Sequence, residues 1–258
     1  MGATNPASGT LTITIPAGAA TDAAGNPNVA TQLTVHIDRT KPTVSTPRTT
    51  IRFGVGFGSS VAARVSWTGT DGGGAGVASY DVERRVDGGA WKVIATKLQA
   101  TSLNVSLAQG HTYQFAVKAR DNAGNLGPWK VGSTTSLLVR QDSSGYLSYG
   151  SGWHTVRSSS YSGGTVRYAS TAGAWVRYGF TGRAVALVTT KGPSRGQVKV
   201  YVDNVYITTV DLARSSTAYH QVAWSTSWSS AGSHTLKLVV VGTAGRPRVD
   251  VDALVVLR

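Results

Sequence analysis

Aromatic and basic side chains carry the clearest chemical signal in this sequence, and they are frequent in its C-terminal part. A flat aromatic ring can cover the apolar face of a sugar, while Arg, Lys, Asp or Asn groups bond the hydroxyls. The sequence predicts a ligand site of this kind, formed from the following residues: Trp153, Tyr161, Trp175, Arg177, Lys191, Arg195 and Tyr219.

The run 174–180 has the alternation of a β-strand. Trp175 and Arg177 then share one face, and the apolar residues beside them share the other. An outward Trp next to an Arg could be a stacking platform, a cation–π pair that stabilises the sheet, or a contact to a preceding domain. The sequence leaves these three interpretations open.

The other candidates also have structural alternatives. Trp153, Tyr161 and Tyr219 lie in or near Gly/Ser-rich segments, where they could contact a ligand or fill a core that has few Phe residues. Lys191 and Arg195 bracket a loop whose shape is set by glycine and proline. Cations held in this way suit an anionic or hydroxylated ligand, and a solvated loop satisfies them equally.

The segment 197–207 predicts a β-hairpin whose turn is Asp203-Asn204. In the simplest register Val202 lies opposite Val205, Val200 opposite Ile207, and Tyr201 opposite Tyr206. One face of this hairpin would be apolar, and the other would carry the two tyrosines with Lys199.

These elements belong to a chain whose composition predicts an all-β fold. Glycine is abundant, with 31 of 258 residues, and hydrophobic residues alternate with Thr and Ser in short runs. The sequence contains no cysteine, which excludes disulfides and thiolate metal sites. We therefore expect tandem β-sandwiches.

The positive charge is spread along the chain. The formal net charge of +13 divides into 0 for residues 1–41, +6 for 42–140 and +7 for 141–258. Nucleic-acid-binding proteins concentrate Lys and Arg on one helix or stripe, so nucleic acid is not the expected partner. Anionic cell-wall polymers and acidic glycans are compatible with this charge. No apolar run is long enough to span a bilayer, so membrane insertion is not expected.

Breaks in the pattern predict three domains: 1–41, 42–140 and 141–258. The segment 38–42 is polar and ends in proline, and after residue 140 the composition shifts to Ser, Gly and Tyr. The first domain contains only two alternating strands, which cannot close a sandwich alone. It is either the end of a truncated domain or a strand pair docked on its neighbour.

Two loops repeat one pattern, DAAGN at 22–26 and DNAGN at 121–125. Each reads as a turn in which Asp and Asn bond their own backbone and Gly takes a positive φ. We accordingly interpret Asp121, and also Asp71, as turn residues and not as metal ligands.

Short motifs carry three family resemblances. With the motifs WTGTD (67–71), GVASYDV (76–82), HTYQF (111–115) and ARDNAGN (119–125), residues 42–139 resemble bacterial fibronectin type III-like domains. With the DAAGN loop at 22–26, residues 9–38 look like the last strands of a bacterial Ig-like domain. With the motifs GGTVRY (163–168), KGPSRG (191–196) and GSHTL (232–236), residues 142–258 resemble a C-terminal module of secreted enzymes and surface proteins that is similar to β-jelly-roll carbohydrate-binding modules.

The jelly-roll resemblance implies a structural calcium ion that joins the first and last strands, with Asp142 and Asp252 as its ligands. Calcium binds about six to eight oxygens, so main-chain carbonyls or further carboxylates would have to complete the site. The match does not extend to the glutamate that such modules usually supply early in the domain.

An enzyme is not expected, because Glu83 is the only glutamate and no Gly-x-Ser-x-Gly elbow occurs. We expect a non-catalytic fragment of a larger secreted or cell-surface protein, with Met1 placed upstream of an excised piece. It would bind polysaccharide or a cell-surface glycan by aromatic stacking and would contact neighbouring domains of its parent. The alternative is a structural stalk or fibre that assembles through protein contacts without sugar binding.

Overall fold

The computed structural model describes residues 8–258, and nearly all of its regular structure is β-strand. Within that range the one helical element is a 3₁₀ turn at Ser162–Gly164. The prediction of an all-β chain built from sandwiches is confirmed. The sequence around Met1, interpreted above as the start of an excised piece, lies outside the described residues.

The N-terminal part is a two-stranded antiparallel ribbon of β1 (Gly9–Ile15) and β2 (Thr31–Ile37). The connecting loop forms the predicted turn, because Asp22 Oδ1 accepts from the Asn26 N–H at 2.9 Å and Gly25 has a φ of 87°. Leu11 lies opposite Val35, and both are exposed. The two predicted strands are therefore present, and their apolar side is uncovered within the described chain.

The middle part is a sandwich. One layer is β4, β5 and β9, and the facing layer is β7, β8, β10 and β11, while β3 and β6 form a small pair. Val65 and Trp67 of one layer and Phe115 and Val117 of the other are buried in a shared core, as strand alternation predicts. The strands are β3 (Thr43–Val44), β4 (Arg48–Ile51), β5 (Ser60–Ser66), β6 (Gly69–Thr70), β7 (Val77–Val86), β8 (Lys92–Leu98), β9 (Ser102–Ala108), β10 (Thr112–Asp121) and β11 (Lys130–Val131).

A single strand, β12 (Thr135–Gln141), crosses the predicted boundary at residue 140. Its start pairs with β10, where Tyr113 lies opposite Thr135. The rest pairs with the final strand of the chain, where Leu137 lies opposite Leu257. One long sheet therefore runs through the middle and C-terminal parts. Its strand order is β18 (Val205–Asp211), β17 (Gln197–Val202), β19 (Ala218–Val240), β16 (Trp175–Lys191), β21 (Ala253–Leu257), β12, β10, β7 and β8. The division into three domains stays a prediction. This sheet connects the second predicted domain with the third.

The C-terminal part adds a small sheet, β14-β15-β20, that packs across the long one. The structure has nine strands in this part. The segment 249–257 is divided at Asp252, where the chain passes from the small sheet to the long sheet. The strands are β13 (Leu147–Tyr149), β14 (His154–Arg157), β15 (Thr165–Ala169), β16 (Trp175–Lys191), β17 (Gln197–Val202), β18 (Val205–Asp211), β19 (Ala218–Val240), β20 (Val249–Val251) and β21 (Ala253–Leu257).

The predicted hairpin is β17 and β18, and its register is partly as expected. Asp203 and Asn204 both have positive φ, 51° and 67°, which gives the strand-compatible type I′ turn. Tyr201 lies opposite Tyr206 as predicted, but Val200 lies opposite Thr208 instead of Ile207. A bulge after Val200 causes the shift, because it places one extra residue on β18. The apolar face of the hairpin is buried only on β17, since Val205 and Ile207 on β18 are exposed.

Two cores lie on opposite sides of the long sheet. In β16, Val185 and Leu187 point into the C-terminal core, whereas Ala184, Ala186 and Val188 point into the core that continues through the middle sandwich. Main-chain hydrogen bonds also join the middle sandwich directly to β19. They are Gly54 N–H to Val222 O at 2.7 Å, Val222 N–H to Val55 O at 2.9 Å and Phe57 N–H to His220 O at 2.6 Å.

Candidate functional site

The side of the long sheet that faces away from the C-terminal core is covered over one half and open over the other. The bulge between Gly182 and Ala184 separates the halves. Beyond it, Ala184, Ala186 and Val188 are fully buried against the middle sandwich. Before it, Trp175 is half-buried and Arg177 is exposed. We call the uncovered half the open face.

Strand register defines the members of the open face, because directly opposed residues in an antiparallel sheet point to the same side. Two cross-strand rows result. One row is Trp175, Val239, Lys199 and Thr209, and the next is Arg177, Lys237, Tyr201 and Tyr206. Each row crosses four strands, so it spans about 14 Å at the usual strand spacing.

Aromatic rings and cations are interleaved on this surface. The Tyr201 and Tyr206 rings meet edge to face with centroids 5.6 Å apart, and the Tyr206 hydroxyl lies 2.9 Å from Thr209 Oγ1. Lys237 Nζ lies 6.0 Å from the centroid of the Trp175 ring. Tyr206 is 51% exposed. The open face therefore presents three rings with hydrogen-bond donors between them.

A glycine that packs beside Trp175 leaves room for its ring. A Cβ atom added to Gly150 would stand 2.7 Å from Trp175 Nε1, so glycine is the residue that the packing of this indole allows. A cleft of about 250 Å³ opens beside it and is lined by Gly152, Thr171 and Ala172, among others. The outward orientation predicted for Trp175 and Arg177 agrees with the structure.

A larger cleft of about 460 Å³ adjoins the next row of the open face, where Gly179 lies opposite Thr235. Its lining includes Arg140, Tyr146 and Arg258. The Arg140 guanidinium lies 3.9 Å from the centroid of the Tyr146 ring. This cleft extends the surface with another aromatic and cationic pair.

Trp153 does not belong to the open face. Its indole Nε1 donates to the main-chain oxygen of Trp175 at 2.9 Å, and its ring meets Tyr149 edge to face at 5.2 Å. The ring packs on the C-terminal core. Trp153 therefore holds the backbone of Trp175 from the core side of the sheet. Of the two alternatives for this ring, ligand contact or core filling, the structure shows core filling.

Tyr161, Tyr219 and Arg195 form a separate group. Tyr161 is 8% exposed and meets Tyr219 edge to face at 5.5 Å, while Tyr219 is 41% exposed. Arg195 is buried, and its Nε donates to Asp250 Oδ2 at 2.7 Å. Burial and the nearby Asp250 raise the pKa of Tyr161. The guanidinium of Arg195 is thus engaged inside the protein, and Lys191 lies at the other end of this loop, opposite Ala218 on β19.

Asp142 and Asp252, the predicted calcium ligands, are both fully buried. The Asp142 N–H donates to the Asp252 main-chain oxygen at 2.9 Å, which brings the first and last strands of this part together. Asp142 Oδ1 accepts from the Thr165 hydroxyl at 2.7 Å, and Asp252 Oδ1 accepts from the Ser162 N–H at 2.9 Å. The Oδ2 atom of each carboxylate has no hydrogen-bond partner, and His220 Nε2 lies 3.9 Å from that of Asp252.

Burial makes the charged forms of these carboxylates costly. Desolvation, with Asp142 and Asp250 nearby, raises the pKa of Asp252 to about 7. Desolvation also raises the pKa of Asp142. Asp250 is compensated differently, because Arg195 and Arg248 both pair with it. Two buried carboxylates with orphaned oxygens fit a bound cation, since a cation would offset their desolvation.

Lys199, Tyr201, Tyr206 and Lys237 contribute to the open face but were not among the predicted site residues. Hairpin alternation already placed Tyr201 and Tyr206 on one side together with Lys199. Lys237 could not be found this way, because it joins them only through the pairing of β19 with both β16 and β17.

Comparison with known proteins gives partial matches. No family model matches the chain. Endoglucanase B of Cellulomonas fimi is 35% identical over 91 residues, which is 35% of this chain and 8% of that protein. The chain thus spans a small part of the length of this relative.

Two solved structures overlap parts of the fold. The CBM36-1 domain of a multidomain xylanase from the hindgut metagenome of Trinervitermes trinervoides is 16% identical with a TM-score of 0.35, over 47% of this chain and 96% of that one. An exo-β-1,3-galactanase from Phanerochaete chrysosporium is 14% identical with a TM-score of 0.36, over 90% of this chain and 60% of that one. At these low values neither structure indicates a function for this chain.

Proposed function

We propose that the C-terminal part of this chain is a non-catalytic glycan-binding module that binds a polysaccharide across the open face. The observation that carries the proposal is the combination of Trp175, Tyr201 and Tyr206 with cationic donors on a sheet surface that no described element covers. Rings of this kind stack on the apolar faces of pyranoses, and Arg177 and Lys237 would bond hydroxyl or carboxylate groups.

A binding role without catalysis is supported by the inventory of the open face. The eight residues of its two cross-strand rows include no Asp and no Glu, whereas glycoside hydrolysis normally needs a pair of carboxylates flanking the bond. Affinity per site would be weak, and attachment to other domains would raise the effective concentration of the module on a polymer.

The partial relative supports the choice of ligand class, since its name describes a glucan-cleaving enzyme. A role attached to such an enzyme would place the protein outside the cell. Within residues 8–258 no helix has the length and apolar character needed to cross a membrane.

The test is retention of the full chain on insoluble polysaccharides, measured for the wild type and for Trp175→Ala and Tyr206→Ala. Trp129→Ala is the matched control, because Trp129 lies in the middle part with Lys118 Nζ 4.6 Å from its ring centroid, a comparable cation–π pair. We expect Trp175→Ala to lose retention and Trp129→Ala to keep it. Equal behaviour of the two tryptophan variants would contradict the proposal.

We also propose that Asp142 and Asp252 hold a structural calcium ion at the base of this module. Their buried, unpartnered Oδ2 atoms support it. The cation would tie the start of the C-terminal part to β21. Isothermal titration with Ca²⁺ tests it, and Asp252→Asn should remove one component of the binding.

A structural role in assembly is favoured by one other observation, the ribbon of β1 and β2. Leu11, Ile13 and Leu33 are each 46–57% exposed on one side of it. That side would pack against an apolar surface of a second copy of the chain, in keeping with the stalk alternative. Sedimentation of the full chain checks for self-association, which Ile13→Asp would abolish.

A further inference from the structure

Three aspartates from separate segments converge where the N-terminal ribbon meets the middle sandwich. Asp38 directly follows β2, Asp71 directly follows β6, and Asp121 is the last residue of β10. One carboxylate oxygen from each lies within 4.8 Å of the other two. The sequence predicted turn roles for Asp71 and Asp121, and it gave no reason to connect them with Asp38.

Asp71 is the member of the cluster with an unsatisfied buried oxygen. It is only 6% exposed, and its Oδ2 accepts from the Gly76 N–H at 2.8 Å. Its Oδ1 is buried and has no hydrogen-bond partner. A buried carboxylate oxygen left without a donor is costly, and here two further carboxylates stand close by. A bound cation would remove both penalties.

Glycine keeps the space beside these carboxylates free. A Cβ atom added to Gly74 would stand 2.5 Å from Asp71 Oδ2 and 2.7 Å from Asp38 Oδ2. A cleft of about 690 Å³ opens next to the cluster and is lined by residues from both sides of the junction, including His36, Asp38 and Gly74. Water and a hydrated ion can therefore reach it.

The surrounding contacts hold the aspartates in place. Asp38 Oδ2 accepts from the Ala75 N–H at 2.6 Å. Asn125 supplies donors to both oxygens of Asp121, at 2.7 and 2.8 Å, and the same Asn125 amide lies 3.0 Å from the main-chain oxygen of Asp38. The three carboxylates are thus pre-organised by elements of both neighbouring parts.

We propose that Asp38, Asp71 and Asp121 bind a calcium ion that fixes the N-terminal ribbon to the middle sandwich. The donor set consists of hard oxygens, and calcium accepts irregular arrangements that waters complete. Because Asp38 follows β2 without an intervening residue, occupation of the site sets the direction in which the ribbon leaves the sandwich. This proposal does not rest on the glycan-binding function.

The repeated loop supplies a matched control. In Asp22 and Asp121 the carboxylate makes the same turn, with donors from the main chain and side chain of Asn26 or Asn125. Asp22 is exposed, and it is not part of the three-aspartate cluster. Replacing either by Asn therefore disturbs the same turn, and only Asp121→Asn removes a proposed calcium ligand.

The experiment is calorimetric titration of the calcium-free full chain with Ca²⁺, combined with hydrogen exchange of the segments 36–40 and 71–76. In the wild type we expect Ca²⁺ to slow exchange in both segments. Asp71→Asn and Asp121→Asn should weaken this binding component at least about tenfold, while Asp22→Asn and Asp252→Asn retain it. Asp252→Asn separates this site from the one proposed at Asp142 and Asp252.

Circular dichroism and melting establish that each variant is folded before it is titrated. If Asp71→Asn fails to fold, Asp38→Asn replaces it, because Asp38 is less buried. Exchange in the segments 36–40 and 71–76 that does not respond to Ca²⁺ would overturn the proposal. So would an equal loss of binding in Asp22→Asn and Asp121→Asn.

Discussion

The two halves of β16 show how residue size decides what happens to one sheet face. Beyond the bulge the outward positions are Ala184, Ala186 and Val188, and the middle sandwich packs directly on them. Before it the outward positions are Trp175 and Arg177, and the surface is uncovered. Small side chains allow close approach of another layer, whereas a large ring with cations beside it resists burial. One strand therefore forms an interior joint in one half and an exposed surface in the other.

The largest expected effect is at the covered half. Leu257 is fully buried and lies opposite both Leu137 and Ala184. Leu257→Ala should lower the free energy of unfolding by about 2–5 kcal/mol, because it leaves a cavity in the core that continues through the middle sandwich. Denaturant unfolding measures this change. A loss below about 1 kcal/mol would mean that the joint is not tightly packed.

The next effect is a dependence of stability on pH, and it comes from Asp252. This residue adjoins the covered half, where its N–H donates to the Val188 main-chain oxygen at 3.1 Å. The pKa of Asp252 is raised to about 7, so folding favours its protonated form. Its contribution to stability is complete below about pH 4 and is lost as the pH rises through 7. Calcium-free protein should melt several degrees lower at pH 8 than at pH 5.

Two comparisons isolate this carboxylate from its neighbours Asp142, Asp250, His220, Arg195 and Arg248. Asp252→Asn should flatten the pH dependence, and added Ca²⁺ should restore the melting temperature of the wild type at pH 8. A wild-type melting temperature that rises between pH 5 and pH 8 without calcium would contradict the burial argument.

A smaller effect is expected at the open face. Trp175→Ala should weaken retention on polysaccharide about tenfold, or about 1.4 kcal/mol, because stacking contributes at this level. Retention should depend little on salt, since ring stacking and not ion pairing dominates. Binding that collapses as salt is raised would instead indicate attraction to an anionic polymer.

The smallest effect is on stability at the same face. Tyr206 is 51% exposed on β18, the edge strand of the long sheet. Tyr206→Ala should change the unfolding free energy by no more than about 0.5–1 kcal/mol, because it creates no cavity. A loss as large as that of Leu257→Ala would show that the two halves do not differ in the way described.

Local rules predicted the elements of this chain well. Period-two alternation identified the outward pair Trp175 and Arg177, and the Asp-Asn turn fixed the pairing of Tyr201 with Tyr206. The bulge after Val200 escaped prediction because its neighbours have no glycine or proline to mark it. The internal use of Arg195 also escaped, since its partner Asp250 is distant in the sequence and the loop alone looks solvated.

By itself the sequence determined the all-β class, the strand alternation and the turns, because these depend on neighbours a few residues apart. Only the tertiary structure decided which outward residues remain exposed. It paired β12 with strands of both parts, covered one half of β16, and brought Asp38 to Asp71 and Asp121. Such choices depend on contacts between residues far apart in the chain, and no local pattern encodes them.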